Sequence, residues 1–509
     1  MQCESVLLAM RWRVSVWWWL SFSLGIAGFL ASLVLPPVLR ISPDVVGIAL
    51  QHLPAVEVSI QRTLGLLWWM FWWWIGEVVP LPVTALLPAV VGPLLGLVSA
   101  DGTAEPLTVG IFLRGYADPV ILLFLGSFLI AEGMRKHGLD RWLALRLLSW
   151  RWALRSPRHL LGAIMLGTAA ISMWVNNTAT AAMVMPLVVG IVELLRRQSS
   201  KAVHGISPES LVLAVAWAAS IGGMMTVVGT APNGIALGIL RQHGVSVSFV
   251  EWLGIGLPVG VLLLSVGWAL LAWRGGLPRV SLYEIQAQLQ QEYGAGAGLS
   301  SAARRTVIVF AGVVLGWIGL PGLLWLFPAL EGLELWNIAL CGAVLLFLIP
   351  AGKGLQPILD WEDLQRIDWG TLLLFGGGLT LSALMTQTGT AQILTHTLVE
   401  ILAGLPPVIV VGGVLLGANF ATELMSNTAL ASLLLPLLAS SLPHLGLPLT
   451  TPVIAAAMVS SCAFMLPMGT PPNAIAYGTR LLSLPFMVRV GLLMNLLSTA
   501  VLMLVVLVA

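Results

Sequence analysis

Charge is the first thing this sequence lacks. Asp, Glu, Lys and Arg make up 9% of its 509 residues, where a soluble domain carries about 25%. A chain this poor in charge, 58% apolar and with a mean hydropathy of +0.96, cannot cover a water-facing surface. Most of it is therefore expected in a bilayer. The net charge of +2 is too small to point to nucleic acid or to an acidic partner. Cysteine is scarce as well. Cys3, Cys341 and Cys462 are odd in number and far apart, which argues against a disulfide framework or a cysteine metal cluster. The patterns His-x-x-Glu-His, Cys-x-x-Cys and Gly-x-Ser-x-Gly are missing, so nothing points to an enzyme.

What is present is long apolar sequence. A spanning helix needs about 20 apolar residues, and the apolar total allows roughly ten to twelve passes. Arg11 and Arg13 precede an apolar run from Val14 to Leu35. That run is too long for a signal-peptide core of about 7–15 residues, so it reads as a retained first helix with a cytoplasmic basic flank. Residues 40–63 read as an extramembrane connection. Leu64 to Gly76 holds five Trp, an interfacial aromatic belt, and Pro80 and Pro82 break the chain after it. Between Arg135 and Arg158, basic residues interleave with Leu and Trp, as in a helix lying on the membrane surface. Of the 24 Lys and Arg, 20 lie before residue 306. The boundaries fall at 1–63 (first helix and connection), 64–279 (first repeat), 280–305 (amphipathic helix around 283–292 and linker) and 306–509 (second repeat).

Two halves follow one plan. Ser172-Met173-Trp174-Val175-Asn176-Asn177-Thr178 returns 250 positions later as Thr422-Glu423-Leu424-Met425-Ser426-Asn427-Thr428. Gly229-Thr230-Ala231-Pro232-Asn233 returns as Gly469-Thr470-Pro471-Pro472-Asn473. Phe124-Leu125-Gly126-Ser127 resembles Phe375-Gly376-Gly377-Gly378, in nearly the same register. Long-range register of this kind indicates an internal repeat. The two triplets sit at the tips of apolar arm pairs, about 159–195 and 404–442, expected to be re-entrant hairpins. Matched polar interruptions in the two halves of a membrane chain point to a transporter's binding site, because irregular backbone at membrane depth must line a cavity or be buried in protein.

The residue types suggest what is bound. A tip followed by a helix leaves unpaired N–H groups beside about half a positive charge, an anion site. Gly, Pro and Asn in the other breaks free carbonyl oxygens, ligands suited to a hard cation. No Lys or Arg lies between Arg158 and Arg196, between Lys201 and Arg241, or from Asp368 to Thr479. Two helix N-termini supply roughly one positive charge, so a dianion there needs bound cations. A single Asn-Thr pair is also consistent with helix packing; four matched elements are not. Glu423, replaced by Met173 in the first copy, reads either as a proton or cation ligand or as a buried carboxylate satisfied by backbone.

These residues resemble the divalent anion/sodium symporter family (solute carrier 13 type). The match takes in Glu77 to Pro88, Ser172 to Pro186, Gly222 to Asn233, Thr422 to Pro436 and Ser460 to Asn473. The resemblance implies an all-α polytopic membrane protein of about eleven transmembrane helices and two re-entrant hairpins in an inverted repeat. It implies scaffold and transport domains, and a homodimer. It implies substrate contacts from Asn177, Thr178, Asn427, Thr428, Thr470 and Pro471. One sodium site is implied near Ser172, Asn176, Asn177 and Gly229, and another near Thr422, Met425, Asn427 and Gly469. The family's first triplet is usually Ser-Asn-Thr and its break Thr-Pro-Pro-Asn; here Asn176 and Ala231 depart from both. The resulting expectation is a Na⁺-coupled symporter of C4 dicarboxylates, with elevator-type alternating access. Sulfate, or sodium-independent exchange, is the alternative. The chain is expected in a bacterial inner membrane with its N-terminus cytoplasmic, with Na⁺ and a small dianion as ligands and no nucleic acid.

Overall fold

The computed structural model describes residues 2–37, 51–139, 142–143, 146, 152, 155–198, 207–274, 298–352, 354–401 and 404–508. Among these residues the chain is helical throughout, with isolated β-bridges only at Val98–Pro106 and Pro350–Pro357. Among the described residues, seven helices are long and apolar enough to cross a membrane, and six further apolar helices are shorter. The chain is an all-α polytopic membrane protein. The amphipathic helix expected at 283–292 lies outside the described residues, as does most of 140–154. Arg135 and Lys136 close the helix Pro119–Lys136 rather than opening a surface helix. The helix Leu53–Ile75 begins within the expected connection at 40–63 and includes Glu57 and Arg62. Its two charges are spaced along a helix whose remaining residues are mostly apolar, so they do not break it.

The repeated elements become two kinds of helix pair. In the first kind, Pro157–Ser172 turns through Met173–Asn176 into Asn177–Gln198, and Pro407–Ala421 turns through Thr422–Ser426 into Asn427–Ser441. Ser156 caps the first of these helices through the His159 N–H. Pro186 and Pro436 sit inside the returning arms at the same 250-residue offset. At about 1.5 Å per residue, arms of 15 and 16 residues reach about 22–24 Å, short of the ~30 Å hydrocarbon core. Asn177–Gln198 is longer, at 22 residues, and its last apolar residues, Leu194 and Leu195, give way to Arg196 and Arg197. In the second kind, Pro208–Met225 breaks before Ala231–Gln242, and Thr450–Val459 breaks before Pro471–Gly478.

The halves interlock. Pro208–Met225 packs on Pro157–Ser172 of its own half and on Pro471–Gly478 of the other, while Ala231–Gln242 packs on Asn427–Ser441 and Thr450–Val459. The most hydrophobic stretch of Pro208–Met225 is 89% buried, against 22% for Ser301–Leu326, so the former is central and the latter faces outward. In lipid, helices are held together by close packing rather than by a hydrophobic driving force. Accordingly, Gly222 lies so near Ala169 that a Cβ would collide with the Ala169 backbone. Outside this group, Pro119–Lys136 packs on Leu335–Leu348, and Trp369–Gln387 on the segment 81–117.

Candidate functional site

Four helices begin at one place. Asn177, Asn427, Ala231 and Pro471 are the first residues of their helices, and all four line a cavity of about 840 Å³. Two N-termini were expected there. The second pair of breaks adds two more, because chain unwinding at 226–230 and 460–470 turns each following helix back toward the tips.

The cavity gathers nearly every residue singled out from the sequence. Asn176, Asn177, Thr178, Gly229, Met425, Asn427, Thr428, Gly469, Thr470 and Pro471 all line it. Ser172 and Thr422 stand behind the wall, fully buried. Ser172 Oγ lies 2.8 Å from Asn177 Oδ1 and 2.7 Å from the Ala219 carbonyl oxygen. In the second half, Thr422 Oγ1 lies 2.7 Å from Asn427 Oδ1 and 2.5 Å from the Ser460 carbonyl oxygen. Each cluster thus draws a hydroxyl, an amide and a main-chain oxygen together with a single hydroxyl hydrogen among them. Oxygen-only, uncharged sets of this kind suit a hard cation. No group of three or more His, Cys, Asp or Glu is placed to hold a transition metal among the described residues.

The breaks are stapled alike. Asn233 Nδ2 donates to the carbonyls of Gly223 (3.2 Å) and Thr226 (2.7 Å). Asn473 Nδ2 donates to those of Ala463 (2.9 Å) and Leu466 (3.0 Å). Donor and acceptors keep one offset of 240 residues, so the unwound loops have the same shape in both halves. A Cβ on Gly223 would fall inside the Asn177 side chain, so any larger residue there would displace Asn177. These staples and Gly223 were not among the residues picked from the sequence. The signal was available: each asparagine closes a repeated Gly-Thr-x-Pro-Asn.

The halves differ at Glu423. Its carboxylate accepts from the backbone N–H groups of Phe464 (2.7 Å), Met465 (2.7 Å) and Leu466 (2.8 Å), and from Asn495 Nδ2 (2.8 Å). It is a buried carboxylate satisfied chiefly by backbone, the second of the two roles expected for it. In the first half, where Met173 stands, Thr226 Oγ1 instead donates to the Met173 carbonyl at 2.5 Å. Asn176 also departs from its counterpart: its Oδ1 accepts from the Thr178 N–H at 2.8 Å, an interaction that Ser426 does not make.

Among the described residues the lining contains Glu77 and Asp368 and no Lys, Arg or His. Glu77 takes the left-handed conformation, φ 45°, where Leu53–Ile75 ends, and Asp368 accepts from the Thr371 N–H at 3.0 Å. Four N-termini of roughly half a charge each offset these two carboxylates and leave nothing over for a dianion.

A family model described as citrate transporter (CitMHS) matches residues 67–463. The sodium-dependent dicarboxylate transporter SdcS of Staphylococcus aureus strain USA300 is 33% identical over 490 residues, covering 94% of this chain and 91% of its own length. The chain belongs to the divalent anion/sodium symporter family. This family member is a transporter and not an enzyme. The SdcS protein of S. aureus strain MRSA252 is 33% identical over 466 residues, 90% of this chain and 86% of its own. Two solved transporters share the fold at low identity. The YdaH transporter of Alcanivorax borkumensis matches with a TM-score of 0.51 at 16% identity, over 84% of this chain and 97% of its own. MtrF of Neisseria gonorrhoeae matches with a TM-score of 0.56 at 13% identity, over 85% and 95%.

Proposed function

We propose that this family member carries C4 dicarboxylates across a bacterial inner membrane in symport with Na⁺. The observation that carries the reading is the cavity's charge balance. Helix N-termini and neutral amides face the substrate, two carboxylates share the wall, and no basic side chain lines it among the described residues. A dianion brought there without company would stay uncompensated; cations held behind Asn177 and Asn427 supply the missing charge. Ser172, Asn176, Asn177 and Gly229 are assigned to one Na⁺, and Thr422, Met425, Asn427 and Gly469 to the other. Asn177, Thr178, Asn427, Thr428, Thr470 and Pro471 are assigned to the dianion. The name of the SdcS relatives, sodium-dependent dicarboxylate transporter, supports the substrate class and the coupling ion.

In this reading the tip pairs and broken pairs, 157–274 and 407–508, move together as a transport domain against a scaffold built from 53–136 and 301–387. The repeats 64–279 and 306–509 are inverted, the arm pairs are re-entrant, and alternating access is of the elevator type. The protein works as a homodimer, with its N-terminus cytoplasmic. A second reading, sodium-independent exchange, draws on Asn176, whose oxygen already serves the Thr178 N–H.

The test is uptake of radiolabelled succinate and sulfate into proteoliposomes with and without an inward Na⁺ gradient. Symport predicts succinate accumulation that vanishes when choline or K⁺ replaces Na⁺. Uptake indifferent to that replacement, but dependent on internal dicarboxylate, establishes exchange. Sulfate accumulation without succinate accumulation overturns the substrate assignment.

A further inference from the structure

A second cavity, of about 340 Å³, lies away from the transport site, in a groove between the helices Pro157–Ser172 and Phe249–Arg274. One end is polar. Arg158 and His159 line it, and Trp268 Nε1 donates to the Arg158 carbonyl at 3.0 Å. The His159 ring meets Trp152 edge to face, centroids 4.9 Å apart, and its Nδ1 lies 2.7 Å from Ser156 Oγ. Arg158 is exposed and forms no ion pair with any described residue. The remainder is apolar. Gly162 forms the floor, where a Cβ would stand 3.2 Å from Trp152 and 3.5 Å from Trp268, so the glycine keeps the groove open. Leu166 and Val261, each about half exposed, continue the groove along the two helices.

We propose that this groove binds one phospholipid with an anionic headgroup. The eight helical steps from Arg158 to Leu166 span about 12 Å, so a phosphate held by Arg158 directs an acyl chain down the apolar walls. Indole rings at the headgroup level are the usual membrane-interface anchors. Basic residues at that level attract anionic lipid, and Arg155, also exposed, stands one turn before the groove. The internal repeat sharpens the assignment. At the 250-residue offset, Arg155, Arg158 and His159 become Leu405, Val408 and Ile409, while Gly162 becomes Gly412. The basic headgroup end is therefore built into one arm pair and left out of its counterpart.

The site is independent of the transported substrate, so its test needs none. Purified, delipidated protein is titrated with phosphatidylglycerol, with phosphatidylcholine and with inorganic phosphate, and bound lipid is counted by native mass spectrometry. One phosphatidylglycerol per chain is expected to persist under conditions that strip phosphatidylcholine. Arg158→Gln weakens that lipid about fivefold, Arg158→Lys retains it, and Arg155→Gln weakens it less than Arg158→Gln does. Leu166→Trp, which fills the apolar half without touching the charge, displaces the lipid too and serves if Arg158→Gln is poorly produced. Equal retention of the two lipids overturns the proposal. So does an equal loss in Arg155→Gln, which means a diffuse basic belt, and so does displacement by inorganic phosphate alone, which means a free-anion site.

Discussion

Replacing Asn427 with Ala tests the central argument, because that one side chain is proposed to serve both ligands. Its Oδ1 stands 2.7 Å from Thr422 Oγ1, and the residue also lines the cavity at the head of its helix. In the proposed assignment, truncation removes an amide that faces the dianion and an oxygen that faces the cation. Each lost hydrogen bond to a charged group is worth about 1.5–3 kcal/mol, a tenfold to hundredfold loss of affinity. Linked binding free energies are reciprocal, so the affinities for succinate and Na⁺ must fall together. The fold has little reason to fail, since Thr422 keeps its contact with the Ser460 carbonyl. Isothermal calorimetry on purified protein measures succinate at saturating Na⁺ and Na⁺ at saturating succinate, with thermal melting as the control. Wild-type affinity for both ligands refutes the site assignment and reduces the triplet to a packing kink. A loss for succinate alone refutes only the shared cation role.

Glu423→Gln places an amide N–H₂ where three backbone N–H groups and Asn495 donate, and is expected to cost about 1–3 kcal/mol for each donor left unsatisfied. A sharply lower melting temperature checks this; unchanged stability would show that the 464–466 turn does not depend on the carboxylate. The hydrogen bond from Lys136 Nζ, 3.0 Å from Asp360 Oδ2, holds the Asp360 carboxyl below its usual range. A depressed carboxyl contributes stability that is present above its unfolded value, about 3.9, and is lost as pH falls through the lower folded value. Lys136→Gln should therefore flatten the acid side of the melting profile below about pH 4, and an acid limb identical to wild type would remove the ion pair from the account. For orientation, a single Cys at Ser156 in a background lacking Cys3, Cys341 and Cys462 should resist an impermeant thiol reagent in intact cells. Labelling from outside would reverse the proposed topology.

The sequence by itself determined that this chain lives in a membrane and repeats itself, because both properties are one-dimensional. Charge content and apolar run length settle the solvent, and equal offsets between Asn176-Asn177-Thr178 and Ser426-Asn427-Thr428 settle the repeat. The candidate site was legible for the same reason: polar residues at membrane depth must be buried or line a cavity, so Asn177, Asn427 and Thr470 announce themselves. Tertiary structure alone decided which oxygens meet. Ala219 and Ser460 offer only main-chain carbonyls, a group every residue carries, so nothing in their side chains marks them. Gly223 matters through a neighbour 46 positions away. Glu423 was visible as an intramembrane charge, but its role rests on three N–H groups that point at it only after the chain unwinds near residue 464. Convergence of four helix N-termini rather than two likewise required the halves to interlock, a packing outcome that no local pattern records.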